Sequence, residues 1–101
     1  MNSAGEQQIR RIFEQEVLPE ILRAVKKHPK WPTDLCRQAL IVGEESGELQ
    51  QAVLNAVEYS EAGWDIDFAP DRLHYNKLQN RIDEEAVQVA AMALRFLLGR
   101  R

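Results

Sequence analysis

Apolar residues recur at three- and four-residue spacing through most of the chain, and no stretch alternates as a strand would. In the first segment Ile9, Ile12, Phe13 and Val17 share one face, and Ile21, Leu22 and Val25 continue it to about His28. Ser3-x-x-Glu6 reads as a capping box that opens this helix. Pro19 interrupts it and predicts a kink or a restart, because proline suits a first turn far better than an interior. The run His28-Pro29-Lys30-Trp31-Pro32-Thr33 must be a connector. Thr33 or Asp34 then caps a second helix to about Ser60, with Leu35, Ala39, Val42, Leu49, Val53 and Val57 as its apolar stripe. Glu61 to Pro70 lacks a helical period and reads as a loop. A third helix runs from near Asp71 to Gly99, a natural C-terminal stop.

That third helix has two apolar stripes, Leu78/Ile82/Val89/Phe96 and Val87/Ala91/Leu94/Leu98. A helix apolar on two sides needs two partners. The pattern therefore predicts an all-α fold, three long helices in an antiparallel bundle completed by homo-oligomerisation, as a homodimer or homotetramer. The 101 residues suffice for a single domain, 1–101.

Composition narrows the chemistry. Net charge is −3, which argues against a binder of nucleic-acid polymers. The single cysteine, Cys36, and the widely separated His28 and His74 make no thiolate or imidazole metal site. No apolar run reaches the roughly 18 residues of a membrane span, and the N-terminus has no signal-peptide core. The expectation is a cytoplasmic protein with no membrane partner.

Acidic residues are the remaining candidates. Glu44, Glu45 and Glu48 lie together on the second helix, with no Lys or Arg between Arg37 and Arg72. Asp83, Glu84 and Glu85 lie together on the third. Glu45 and Glu48 project from one side, and Glu85 lies near Gln88 and Met92 by helical arithmetic. Each face borders an apolar stripe, so packing the two stripes brings the carboxylates into one cleft. Unpaired carboxylates are costly to bury, and a hard divalent cation, Mg²⁺ or Mn²⁺, relieves that cost. Glu84 and Glu44 sit near enough to add charge, while Asp83 is turned toward solvent. Gly43 and Gly47 flank the carboxylates and would let a backbone or ligand approach closely. The competing expectation is a solvated acidic rim.

The run Glu44-Glu45-Ser46-Gly47-Glu48-Leu49 resembles the E-E-x-G-E-L signature of MazG-like, all-α nucleoside triphosphate pyrophosphatases. The resemblance extends over about residues 31–98. It implies Mg²⁺ held by an E-x-x-E motif and a later E-x-x-D motif, cleavage between the α- and β-phosphates, and a dimer or tetramer. Glu45 and Glu48 match the first motif and are the candidate catalytic residues. Glu85 opens the second, where Gln88 stands in place of Asp, a neutral oxygen donor for a charged one. The separation between the motifs is also long for the family. Phosphoribosyl-ATP pyrophosphohydrolase shares the same helical carboxylate scaffold, and nothing in the chain selects its substrate. For a triphosphate substrate the candidate cations are Lys77, Arg81 and Arg95, and Trp31 is the candidate aromatic for the base. The alternative is a catalytically silent helical module that binds a nucleotide or a protein partner, which the Gln88 departure favours.

Overall fold

A computed structural model describes residues 3–101. All regular structure among them is helical. α1 (Ser3–Ile12) passes through a single π-helical turn, Phe13–Val17, into α2 (Leu18–Lys27). These three pieces form the first predicted helix, and the π turn sits where Pro19 disturbs it. Proline lacks an N–H, and its ring crowds the carbonyl four residues earlier. The widened turn, closed by Leu18 N–H donating to the Phe13 carbonyl, precedes Pro19 in the first turn of α2. The helix is already formed at Ser3, so the position before it, where a cap would act, lies outside the described residues.

α3 (Leu35–Glu61) and α4 (Ala69–Gly99) form an antiparallel helical hairpin, the dominant packing unit of the fold. Asp34 caps α3, its carboxylate accepting from Cys36 N–H at 2.9 Å. The link between α3 and α4 is shorter than the predicted loop. Ala69 and Pro70 belong to α4, because proline in a first turn forfeits an N–H that has no helical partner there anyway. Gly63, at φ +81°, makes the turn out of α3 in the left-handed region that glycine tolerates. Beyond it, Trp64 stacks on Tyr75 with ring centres 4.4 Å apart, and Tyr59 meets His74 edge-on. Asp65 N–H donates to the Asp71 carboxylate at 2.9 Å, tying the loop to the first turn of α4.

The seam between α3 and α4 differs from the predicted stripes. Ala52 and Ala56 are buried and Ile41, Val42 and Leu49 half-buried, whereas Leu35, Val53 and Val57 are exposed. On α4 the Leu78/Ile82/Val89/Phe96 stripe is half-buried as the periodicity requires. The second α4 stripe is covered in part by the first helix. Ile21 of α2 packs with Ala91 and Met92, and Leu94 borders that cluster, so Ala91 is fully buried within one chain. Leu98 remains exposed. The two-sided apolar pattern of α4 thus has two intrachain partners, α3 and α2, over part of its length.

Arg95 fastens the first helix to α4. It is 7% exposed, donates to the backbone carbonyls of Ala24 and His28, and lies over the Trp31 ring at 4.8 Å. The last carbonyls of a helix lack intrahelical donors, and the Arg95 guanidinium supplies one to His28, just past the end of α2, while Ala24 also accepts from His28 N–H.

Candidate metal centre

Glu45, Glu48 and Glu85 converge. Each offers a carboxylate oxygen, and these oxygens lie within 4.8 Å of one another, a spacing that a single cation can bridge. The arrangement follows from the hairpin. Glu45 and Glu48 are one turn apart on α3, and Glu85 occupies a position of the α4 seam that an apolar residue would otherwise fill. Glu85 is only 4% exposed. Its Oε1 pairs with Arg81 at 2.7 Å, and its Oε2 is buried with no hydrogen-bond partner.

Burial is the main cause that pushes the Glu85 carboxyl above the ordinary glutamate range. Arg81 opposes the shift, and the neighbouring Glu48 and Glu84 add to it. Glu45 is pushed up as well, first by burial and then by Glu48, Glu85 and Glu20. Like charges at this range favour a shared proton or a bound cation. An orphaned buried carboxylate oxygen, together with an all-oxygen donor set, could hold a hard cation.

The other candidates fall in different places. Glu44 and Glu84 are exposed and outside the converging triad; Asp83 is exposed, as the helical arithmetic requires. Arg81 reaches Glu85 directly and so neutralises part of the triad's charge. Arg95 holds the end of α2 and the Trp31 ring. Trp31 is half-buried against the Ile21/Ala91/Met92 cluster, with its ring 3.3 Å from where a Cβ on Gly99 would stand. Lys77 is exposed and lines neither polar cleft beside the carboxylates. A Cβ at Gly43 or Gly47 would meet nothing within 4 Å, so no other part of the chain makes the close approach expected there.

Gln88 is half-buried, and its amide nitrogen donates to Glu20 Oε1 at 2.5 Å. Glu20 comes from α2 and was not among the residues singled out by sequence. Its Oε1 also meets Arg23 Nη2 at 2.5 Å, and its Oε2 accepts from Arg23 Nε at 3.0 Å. Arg23 is the main cause that holds the Glu20 carboxyl below the ordinary range. Glu20, Arg23 and Lys27 of α2 face Glu45 of α3 and Gln88 and Arg95 of α4 across a cavity of about 230 Å³. A second, larger cleft of about 540 Å³ also borders Glu20, Arg23 and Gln88, with Glu16, Asn80, Asp83 and Glu84 in its lining. The only local trace of this arrangement in the sequence is the i, i+3 pair Glu20/Arg23, which by itself reads as a surface ion pair.

Comparison with protein-family models, with curated proteins and with solved structures finds no match to this chain.

Proposed function

We propose that this protein is a Mg²⁺-dependent nucleoside triphosphate pyrophosphohydrolase of MazG-like type, working as a homo-oligomer. One observation carries the reading: three carboxylates from two helices meet within 4.8 Å, and a buried oxygen of one of them has no partner. A solvated acidic rim does not account for Glu85, whose Oε1 is compensated by Arg81 while its buried Oε2 is left without a partner, a cost that a bound cation would relieve. The resemblance of Glu44 to Leu49 to the E-E-x-G-E-L signature supplies the reaction class.

In this reading Glu45, Glu48 and Glu85 hold the cation. A metal held there would neutralise charge on the phosphate oxygens and activate water. Water adds to the α-phosphorus, and the bond from that phosphorus to the bridging oxygen breaks. Pyrophosphate departs, and the water's proton passes to a carboxylate. Glu45 suits that role by position, since it belongs to the triad and also lines the cavity beside Arg23 and Lys27. Arg23 and Lys27 line the cavity beside Glu45 and place positive charge where a polyphosphate needs it. Lys77, Arg81, Arg95 and Trp31 were the sequence candidates for substrate; of these Arg95 alone borders that cavity.

The test is a panel of nucleoside triphosphates with Mg²⁺, in which pyrophosphate and orthophosphate are measured separately. Release of pyrophosphate alone, abolished in Glu45→Gln and Glu48→Gln, supports the reading. Orthophosphate release identifies a different scissile bond and refutes it. Binding of metal and nucleotide without hydrolysis would make the protein a silent module.

A further inference from the structure

The first helix begins well away from the hairpin. No residue of α1 is buried, and it packs on neither α3 nor α4. Between it and α4 lies an open apolar wedge of about 320 Å³, walled by Ile9, Ile12, Phe13 and Val17 on one side and by Ala90 and Leu94 on the other. We propose that α1 is a dimerisation arm: two copies cross antiparallel near Ile12, and the arm of each fills the wedge of the other. This names the interface of the homo-oligomer proposed above and rests on that part of the reading alone; the cation does not enter it.

Three observations select a second copy as the occupant. The arm is ten residues long, and a helix that short is marginal in water without packing. Its large apolar residues, Ile9 and Ile12, border the wedge. The wedge also fits itself: one wall carries Ile9, Ile12 and Phe13, the other carries the small Ala90, and no lining residue is ionisable. Two chains of net charge −3 therefore meet there without opposing like charges. The third observation is charge order. Arg10 and Glu14 lie within about 40° of each other around the helix, on either side of Ile12. Both are exposed, and among the described residues neither makes an ion pair within the chain. An antiparallel crossing near Ile12 reverses the order on the other copy. Arg10 then meets the partner's Glu14, and Glu14 meets the partner's Arg10. A parallel pairing would set like charges against each other.

The contact is isologous, so every favourable pair occurs twice. Farther along the same rod Ile21 already packs against Ala91 and Met92, which gives the arm a fixed base. None of Glu45, Glu48 and Glu85 lines the wedge, so each subunit keeps its own three carboxylates. The rod also carries Arg23 and Lys27 to the polar cavity beside Glu45, and pairing the arms holds that rod against the hairpin.

The experiment joins disulfide trapping to light scattering over a concentration series. Cys36 is free and exposed, so trapping uses a Cys36→Ser background. A residue at the crossing point lies beside its own copy in the partner, and Ile12→Cys should oxidise to a covalent dimer. Val53→Cys, comparably exposed on α3 and outside the wedge, should remain a single chain. Arg10→Glu and Glu14→Arg should each weaken association about tenfold at low salt, since each converts two attractive pairs into repulsive ones. The double variant restores opposite charges and should recover wild-type association. Failure of Ile12→Cys to link, or linking of Val53→Cys as readily, would overturn the proposal. Unchanged association in both single charge variants, or no recovery in the double variant, would overturn the antiparallel crossing and the proposal with it. If wild type is nevertheless oligomeric, the homo-oligomer survives that failure with another interface. A wild-type protein that stays monomeric at every concentration removes the homo-oligomer and this inference together and leaves the reading of the carboxylates standing.

Discussion

At the scale of single residues, position 88 separates two views of the site. Gln88 donates to Glu20 at 2.5 Å. Gln88→Asp removes that donor and sets a new carboxylate beside an existing one. In metal-free buffer the variant should lose roughly 1–3 kcal/mol, the cost of an unsatisfied buried polar group. Mg²⁺ should restore stability to the variant by more than it adds to wild type. Thermal melts with and without Mg²⁺ measure both effects, and destabilisation indifferent to Mg²⁺ would count against a cation at this position. Titration gives a second test. Glu45 and Glu85 have carboxyls raised above their unfolded values, so the folded state holds protons that the unfolded chain releases. Their contribution to stability is full below the ordinary glutamate range and is lost as pH rises through the raised values. Glu20, held low chiefly by Arg23, acts in the opposite sense: its contribution is present above that range and lost in acid. The Glu20 contribution changes only below the ordinary glutamate range, so above it the two raised groups decide the sign, and the melting temperature in chelator should fall as pH rises toward neutrality. Glu85→Gln should flatten the profile, and Mg²⁺ should reverse the decline.

At the scale of elements, each helix depends on a few local devices. The first helix is joined to α4 by Arg95 as well as by apolar contacts. Arg95→Met preserves much of the apolar stem but removes the donor to the His28 carbonyl, while the Ala24 carbonyl keeps its bond from His28 N–H. It should cost about 1–3 kcal/mol by chemical denaturation. Arg95→Lys should not rescue it fully, because an ammonium cannot present the planar fork that reaches two carbonyls and covers Trp31. The interior glycines of α3 make a different test. Each costs about 1 kcal/mol relative to alanine in a helix interior, and both have open space around them. Gly43→Ala and Gly47→Ala should each raise stability by up to that amount. A stabilised Gly47→Ala protein that no longer turns over triphosphate would show that the substrate, rather than the fold, uses the open space.

At the scale of the whole molecule, one chain covers too little of its apolar surface. Among the described residues six apolar ones are buried, none of them a large side chain fully enclosed, while sixteen large apolar side chains are exposed. The radius of gyration is 16.6 Å, against about 13 Å for a compact domain of this length. The accessible surface is 7651 Å², against about 5,800 Å² for a monomer of this mass. The excess is larger than the roughly 800 Å² that one partner buries in a standard interface. α1 shows the same deficit, for none of its residues is buried and it does not pack on α3 or α4. A ten-residue helix is marginal in water alone. Its Ile9 and Ile12, with Phe13 beyond, border an open apolar groove against Ala90 and Leu94. The homo-oligomer proposed above would cover these surfaces. Ile12→Asp and Leu94→Asp should each convert the assembly to monomer or unfold it. Light scattering combined with thermal melts checks this, and a wild-type monomer of ordinary stability would refute it. Among the described residues no helix is long and apolar enough to cross a membrane, so a bilayer is not what α3 or α4 spans.

What the sequence determined by itself was local. Helical spacing, the prolines at 19, 29, 32 and 70, and the cap at Asp34 placed the helices and connectors to within about two residues, the usual uncertainty of such ends. The 3.6-residue period also set Glu45 and Glu48 on one side of α3, because that relation needs only the helix's own geometry. The seam required tertiary structure. Several helical faces were apolar enough to serve, and periodicity cannot say which of them meets which neighbour. Ala52 and Ala56 are buried while Val53 and Val57 are exposed, since small side chains let two helices approach. The cover that α2 lays over Ala91 was invisible for the same reason. The partner of Gln88 was least legible of all. Glu20 lies 68 positions away, and only the path of the first helix across α4 brings the two side chains together.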